Sequence, residues 1–271
     1  MRRVMGSLGF AAVYSIYVLV VLGPMHWLII KPLRVFFPKR RREIADFWLK
    51  LQARWVLGLA RVIGGMRLRV DGRLPEECCV VLMNHQSLFD VPVAFALVRG
   101  PFPHVPTRAS YRHGIPGISG LTSLVGGPFL EQGERASRAE RDALAAAADA
   151  AARGERSFVI FPEGHRSRTG EILPFMTGGL RLVLRRTSNR PLYLIVADGL
   201  WGLARFSDIA TRMGDREVRV CVQGPFTIPP DDREHVAFID AMRSEMIAML
   251  ERLRVPTTEA VPVGTRPELA R

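Results

Sequence analysis

Lysine is what this chain most nearly lacks: among 38 cationic side chains only Lys31, Lys39 and Lys50 are lysines, and all three precede residue 51. That argues against a Schiff-base lysine in the remainder and leaves arginine, histidine or a metal to supply any cation in a site there. Cysteine is scarce as well. Cys78 and Cys79 are adjacent and cannot bridge each other without strain, so with Cys221 they make no disulfide framework; buried thiols in a reducing compartment are expected. There is no CxxC pair and no HExxH helix, which leaves a zinc site without support, and no bound metal or cofactor is expected. Internal repeats and low-complexity linkers are absent, apart from an alanine-rich stretch in one expected helix.

Acidic residues are nearly missing from one region only. Residues 1–66 hold 11 Lys or Arg against Glu43 and Asp46, a net charge of +9, whereas the following 205 residues carry 27 basic and 24 acidic side chains. The overall charge of +12 therefore belongs to the amino-terminal segment, and the body offers no basic surface of the kind nucleic-acid binding needs.

Charge of either sign is absent from Leu8 to Ile30, 23 residues that as a helix are long enough to cross the hydrocarbon core of a bilayer. A signal peptide is the competing reading, but the run is longer than a usual h-region and no small-residue cleavage site follows it. Six cations come next, Lys31, Arg34, Lys39, Arg40, Arg41 and Arg42, against two before the run. By the positive-inside rule the body lies on the cytoplasmic face, that of the inner membrane in a bacterium. Pro24 leaves a kinked or hairpin helix open as an alternative to spanning. Residues 1–42 thus read as anchor and polybasic segment. Residues 43–66 read as an amphipathic helix with Ile44, Phe47, Trp48, Leu51, Trp55, Leu59 and Val62 on one face and Lys50, Arg54 and Arg61 on another. Either the aromatic face lies in the membrane interface, or it packs on the body.

Beyond residue 66, short β-rich apolar runs recur at Cys78–Met83, Ser157–Phe161, Leu192–Ala197 and Val218–Val222, continuous rather than alternating, as for strands covered on both faces. Helices are expected at Glu134–Arg153, stopped by Gly154, and at Asp231–Arg254; a tail of 256–271 follows. The fold class is α/β: a mixed, largely parallel sheet flanked by helices over residues 67–255, behind a membrane-associated helical amino terminus.

In open α/β sheets ligands sit at the carboxyl ends of strands. The first apolar run is followed by Asn84-His85-Gln86-Ser87-Leu88-Phe89-Asp90, and the second by Pro162-Glu163-Gly164-His165-Arg166-Ser167. Five residues place His85 and Asp90 about 140° apart on a continuous helix, so they meet only if His85 lies on the turn and Asp90 in the first helical turn. Pro92 suits a helix start, and Ser87 or Asp90 can cap it. The bland alternatives are a capping carboxylate at Asp90, a satisfied strand-end histidine at His85, and a surface ion pair for Glu163 and Arg166.

These residues resemble a known family. Asn84-His85-Gln86-Ser87 with Asp90, followed some 80 residues later by Phe161-Pro162-Glu163-Gly164 with Arg166-Ser167, are similar to the first and third signature blocks of the glycerolipid acyltransferases, the lysophosphatidic acid acyltransferase group. The resemblance covers about residues 30–225. It implies a thioester donor on CoA or acyl carrier protein, a lysolipid acceptor, His85 and Asp90 as catalytic residues, and Glu163, Gly164, Arg166 and Ser167 as the substrate-binding block. Gly126-Gly127-Pro128-Phe129-Leu130-Glu131-Gln132 resembles the second block, with Gln132 where the family usually has arginine; Pro191–Val196 resembles the fourth loosely. His165 replaces a usual threonine, and Met176-Thr177-Gly178-Gly179 lacks a lysine common in related members. Fewer cations for an acceptor phosphate mean that Arg135, Arg166 or Arg168 compensates, or that the head group is not a bare phosphate monoester. In this reading His85 takes the acceptor proton while Asp90 fixes its tautomer, and Gln86 and Ser87 form the turn. The alternatives are a thioester or ester hydrolase on the same scaffold and a non-catalytic lipid-binding adaptor.

Overall fold

The computed structural model describes residues 2–112, 119, 124, 127–131, 136–203 and 206–255; Gly126, Gln132, Arg135 and the tail from Pro256 lie outside the described residues.

The uncharged amino-terminal run is helical throughout. Helix α1 (Arg2–Ile16) continues through π-wound turns at Tyr17–Leu22 and His26–Ile30 and the short segments α2 (Gly23–Met25) and α3 (Lys31–Phe36). Arg3–Phe36 is long enough to cross a membrane, and an 18-residue stretch within it, of mean hydropathy 2.0, is apolar enough. Most of its surface is uncovered, with Leu8, Ile16, Leu19, Trp27 and Leu28 among the exposed side chains. One edge is packed. Phe10 is fully buried against Phe89, and Ser7 Oγ accepts the Gly214 N–H at 2.7 Å, so α1 is also a wall of the body.

Helix α4 (Arg41–Val62) divides its apolar residues between two faces. Ala45, Trp48, Leu49, Gln52, Ala53 and Ala60 are buried, whereas Phe47 is 69% and Trp55 49% exposed. The expected stripe is therefore not one surface: Trp48 turns onto the body, and the rest of the aromatic edge stays outside. The helix is clamped by Arg156, whose guanidinium forks onto Asp46 at 2.6 and 3.1 Å and donates to the Phe102 carbonyl at 2.8 Å.

The body is a five-stranded sheet in the order β1 (Arg67–Asp71), β7 (Glu217–Thr227), β6 (Pro191–Asp198), β2 (Val80–Met83) and β5 (Phe158–Ile160). All neighbours are parallel except β6 and β7. A separate parallel pair joins β3 (Thr107–Arg108) to β4 (Phe129–Leu130). Successive side chains of β2 enter opposite cores. Val81 and Met83 pack with Phe10, Ala60 and Val93 beneath the amino-terminal helices; Val80 and Leu82 pack with Leu144, Val183 and Met246 of α6 (Arg138–Ala152), α7 (Thr177–Arg186) and α9 (His235–Arg254). This is the three-layer arrangement that the continuous apolar runs predict.

Helix α6 begins later than expected because Ser137 and Glu140 form a capping box, each side chain bonding the other's backbone N–H at 3.2 and 2.7 Å. It ends at Gly154, whose φ of +76° suits glycine. Helix α8 (Phe206–Arg212) precedes β7, and helix α9 starts at His235 after a 3-10 turn at Asp232–Glu234. Cys79 is buried, Cys78 and Cys221 half-buried, and all three thiols are free.

Candidate active site

Strand β2 lies beside β5, parallel and in register from Val80 opposite Phe158, so the two motif loops leave the same sheet edge next to each other. That placement brings together blocks separated by nearly 80 residues. Helix α5 begins at Asp90 and runs to Leu97, leaving His85 on the turn before it. The chain curls back as the spacing requires, and His85 Nδ1 meets Asp90 Oδ2 at 2.8 Å.

Asp90 is completely buried. Its Oδ2 accepts the backbone N–H groups of Gln86 at 2.5 Å and Ser87 at 2.6 Å besides facing the imidazole. It therefore fixes both the shape of the turn and the orientation of the ring, while the start of α5 receives no side-chain cap bond. With Nδ1–H donated to Asp90, the tautomer assigned by this network leaves Nε2 as an acceptor. The ring stacks on Phe161 with centroids 4.4 Å apart, and 16% of the side chain is exposed, at the wall of a cavity.

The second block grips the same residue through its backbone. The His85 N–H donates to Glu163 Oε1 at 2.7 Å, and the His85 carbonyl accepts the Ser167 N–H at 2.7 Å. Glu163 Oε2 accepts the Leu173 N–H at 2.9 Å. Burial pushes the Glu163 carboxyl from its ordinary 4.5 up to about 7, opposed by the two backbone donors and by Arg243 and reinforced by Asp90.

Of the four residues expected to bind substrate, the cavity is lined by Gly164 and Arg166 only; Glu163 and Ser167 are buried behind it and engage backbone. Gly164 has φ +69°, and a Cβ there would approach Met176 Sδ to 2.1 Å. His165 also lines the cavity, whereas Arg168 is exposed and outside it.

Two residues flanking His85 tie the loop to β6: Asn84, which the sequence marked only as part of the first block, and Gln86, expected as a turn former. The Asn84 side chain donates to the Ala197 carbonyl at 2.9 Å and accepts its N–H at 2.8 Å, extending the β2–β6 pairing by one step. Gln86, fully buried, accepts the Leu200 N–H at 3.1 Å and donates to the Gly170 carbonyl and Asp198. A buried amide at the end of an apolar strand was the available signal, but its partners lie over 80 residues away.

The cavity holds about 1430 Å³. Its lining takes Phe10 and Tyr14 from α1, Leu49, Ala53 and Val56 from α4, and five arginines, Arg108, Arg141, Arg166, Arg181 and Arg185, against the carboxylates Glu131, Glu140 and Asp232. Apolar side chains from α1 and α4 and an excess of arginines over carboxylates, with His85 on the same lining, suit an amphiphile with an anionic head. Among the described residues no three His, Cys, Asp or Glu side chains come together to hold a metal ion.

Comparison with known proteins agrees with this geometry. The acyltransferase family's sequence profile matches residues 67–196. The chain is 28% identical over 134 residues to human 1-acyl-sn-glycerol-3-phosphate acyltransferase beta, covering 48% of this chain and 47% of that protein. It thus spans about half the length of that curated relative in the match. The crystal structure of the 1-acyl-sn-glycerophosphate acyltransferase PlsC from Thermotoga maritima shares the fold, with a TM-score of 0.70 over 95% of this chain and 98% of that one at 20% identity. With both signature blocks assembled on this fold, residues 67–196 form an acyltransferase domain, similar to that of the lysophosphatidic acid acyltransferase group.

Proposed function

We propose that this protein is a membrane-bound O-acyltransferase that moves a fatty acyl group from acyl-CoA or acyl carrier protein to the free hydroxyl of a lysolipid. The observation that carries the reading is His85 Nδ1 held at 2.8 Å by the buried Asp90 on the wall of a cavity large enough for an acyl chain. His85 Nε2 accepts the proton of the lysolipid hydroxyl as the oxygen attacks the thioester carbonyl. Asp90 stabilises the imidazolium that forms. Collapse of the tetrahedral intermediate breaks the carbon–sulfur bond, and the departing thiolate takes the proton from the imidazolium. The alcohol is itself the nucleophile, so no acyl-enzyme is needed.

The acyl chain lies along apolar side chains contributed by α1 and α4, and the head group meets the arginines of the lining, among which Arg166 can fork onto a phosphate or carboxylate. Glu163 and Ser167 serve the reaction by holding the backbone of His85. Lysophosphatidic acid is the first acceptor to test, because the human relative's name specifies acylglycerol phosphate. The helical run of Arg3–Phe36 anchors the protein, and the cations from Lys31 to Arg42 keep the body on the cytoplasmic face.

The test supplies purified protein in detergent with acyl-chain-labelled acyl-CoA or acyl carrier protein and a panel of lysolipids. Label moving into a diacyl lipid only when a lysolipid is present supports the reading. Free fatty acid released at the same rate with and without acceptor identifies a hydrolase, and no consumption of either donor with any acceptor points to the adaptor.

A further inference from the structure

The two motif loops are held from outside by the last helix of the body, which belongs to neither. Arg243 and Arg254 stand 11 residues apart on α9, about three helical turns, and so project from one face roughly 16 Å apart. Both reach the segment that follows the second block. Arg243 donates from Nε to the Leu173 carbonyl at 3.0 Å and from Nη2 to the Ile172 carbonyl at 3.2 Å. Arg254 donates from Nη2 to the Gly170 carbonyl at 2.9 Å and from Nη1 to Glu171 at 2.6 Å, and its Nε and Nη2 meet the two oxygens of Asp198 at 3.2 and 3.3 Å.

What these arginines hold is linked to His85 by way of Glu163 and Gln86. Leu173 gives its N–H to Glu163, which takes the His85 N–H. The Gly170 carbonyl and Asp198 Oδ1, both gripped by Arg254, are also the acceptors of the buried Gln86 side chain. The Gln86 backbone N–H, in turn, goes to the same Asp90 oxygen that orients the imidazole. Gly170 has φ +86°, and a Cβ there would meet Arg254 Nη2 at 2.9 Å and Trp201 at 2.7 Å, so the guanidinium sits directly on the loop backbone. A surface ion pair alone would contribute little here. Forked donors on four consecutive residues, three through their carbonyls, instead set the path of a loop whose inner end carries Glu163.

We infer that α9 is a brace for the reaction site, in which Arg243 and Arg254 are positioning residues that hold the Gly170–Leu173 segment, and through Glu163 and Gln86 the His85–Asp90 pair, in the reactive arrangement. This deepens the proposed acyl transfer and rests on it. Neither arginine lines the cavity, so neither is assigned a contact with substrate.

The test compares full-length wild type with Arg254→Ala, Arg254→Lys, Arg243→Ala and Asp198→Asn, measuring steady-state transfer from acyl-CoA to lysophosphatidic acid and hydrogen exchange of the purified proteins. Misplacement of catalytic groups without loss of binding predicts kcat lowered roughly 10- to 100-fold in Arg254→Ala with both KM values within about twofold. Arg254→Lys should recover part of the loss, because it keeps the charge but not the fork. Amide exchange should quicken at 84–90 and 163–175 while β6 and β7 stay protected. The brace is overturned if kcat per folded molecule is unchanged, or if exchange quickens evenly over the chain. Should Arg254→Ala fail to fold, Asp198→Asn removes the paired charge at similar shape and is judged by the same readouts. If wild type transfers no acyl group to any lysolipid, the proposed function fails, and the local exchange pattern still decides whether the brace exists.

Discussion

His85 and Glu163 are joined through the main chain: the carboxylate accepts the backbone N–H of the histidine at 2.7 Å while the imidazole of that histidine is turned toward Asp90. One residue is thus oriented by two acids in different ways. Asp90 sets the ring, and Glu163 sets the backbone from which the ring hangs. Glu163 completes its work by accepting Leu173 N–H from its own loop, so it closes a bridge between the two blocks.

That bridge predicts a pH signature in stability. Burial raises the Glu163 carboxyl from 4.5 to about 7, so the folded chain holds this proton more tightly than the unfolded one. The contribution of the neutral carboxyl is fully present below about pH 4.5 and is lost as pH rises to about 7, a change on the order of 3 kcal/mol. The stability difference between wild type and Glu163→Gln, from urea unfolding at steps between pH 4.5 and 8, should shift in favour of the variant over that window. A difference independent of pH would show that Glu163 titrates normally.

Gly164 supplies a second test. Its φ of +69° and the 2.1 Å approach of a Cβ to Met176 Sδ mean that Gly164→Ala strains the backbone and pushes Met176 aside. The backbone alone costs about 1–2 kcal/mol. Turnover should fall by more than the folded fraction does, since the displaced residue lines the cavity beside Arg166. Unchanged stability with full activity would contradict the geometry of this loop.

For Arg166 the expected effect is on the acceptor. Arg166→Ala should raise the lysolipid KM roughly tenfold or more while leaving the donor KM within about twofold, as expected for loss of a charge-assisted pair. Arg166→Lys should recover activity in part, and the advantage of anionic lysolipids should shrink in high salt. A defect confined to the donor would assign Arg166 elsewhere.

The outer edge of α4 bears on the membrane. Phe47 and Trp55 are exposed aromatics on a helix that carries cations and follows a polybasic segment. Phe47→Ser should leave the melting temperature within about 2 °C, as surface substitutions do, and a polarity-sensitive fluorophore on Phe47→Cys should emit as from an apolar surrounding once the protein is in anionic vesicles. Emission as in water would place that edge in solvent.

Legibility in the sequence followed burial and range. Strands β2, β5 and β6 were readable because continuous apolar runs announce strands covered on both faces; β7 showed through its valines, although Arg219 interrupts them and only every second side chain from Val218 to Val222 is buried. The edge strand β1, Arg67–Asp71, was not, because its alternating charges face solvent; β3 and β4 are two residues each, too short for any pattern. The meeting of His85 with Asp90 was permitted by a five-residue spacing across a helix start, and not required by it. The inward course of Glu163 and Ser167 did not, because it depends on β2 and β5 being neighbours. The work of Gln86, Arg243 and Arg254 was hidden for the same reason, since their partners lie far along the chain.

The most direct test of the account is the rate of acyl transfer to lysolipid by purified His85→Ala beside wild type, both verified as folded by an unchanged melting profile. Removing the general base should lower kcat by about two to four orders of magnitude, with Asp90→Asn close behind. Turnover by His85→Ala within a few fold of wild type would contradict the central claim, because the proton would then leave the acceptor hydroxyl by another route.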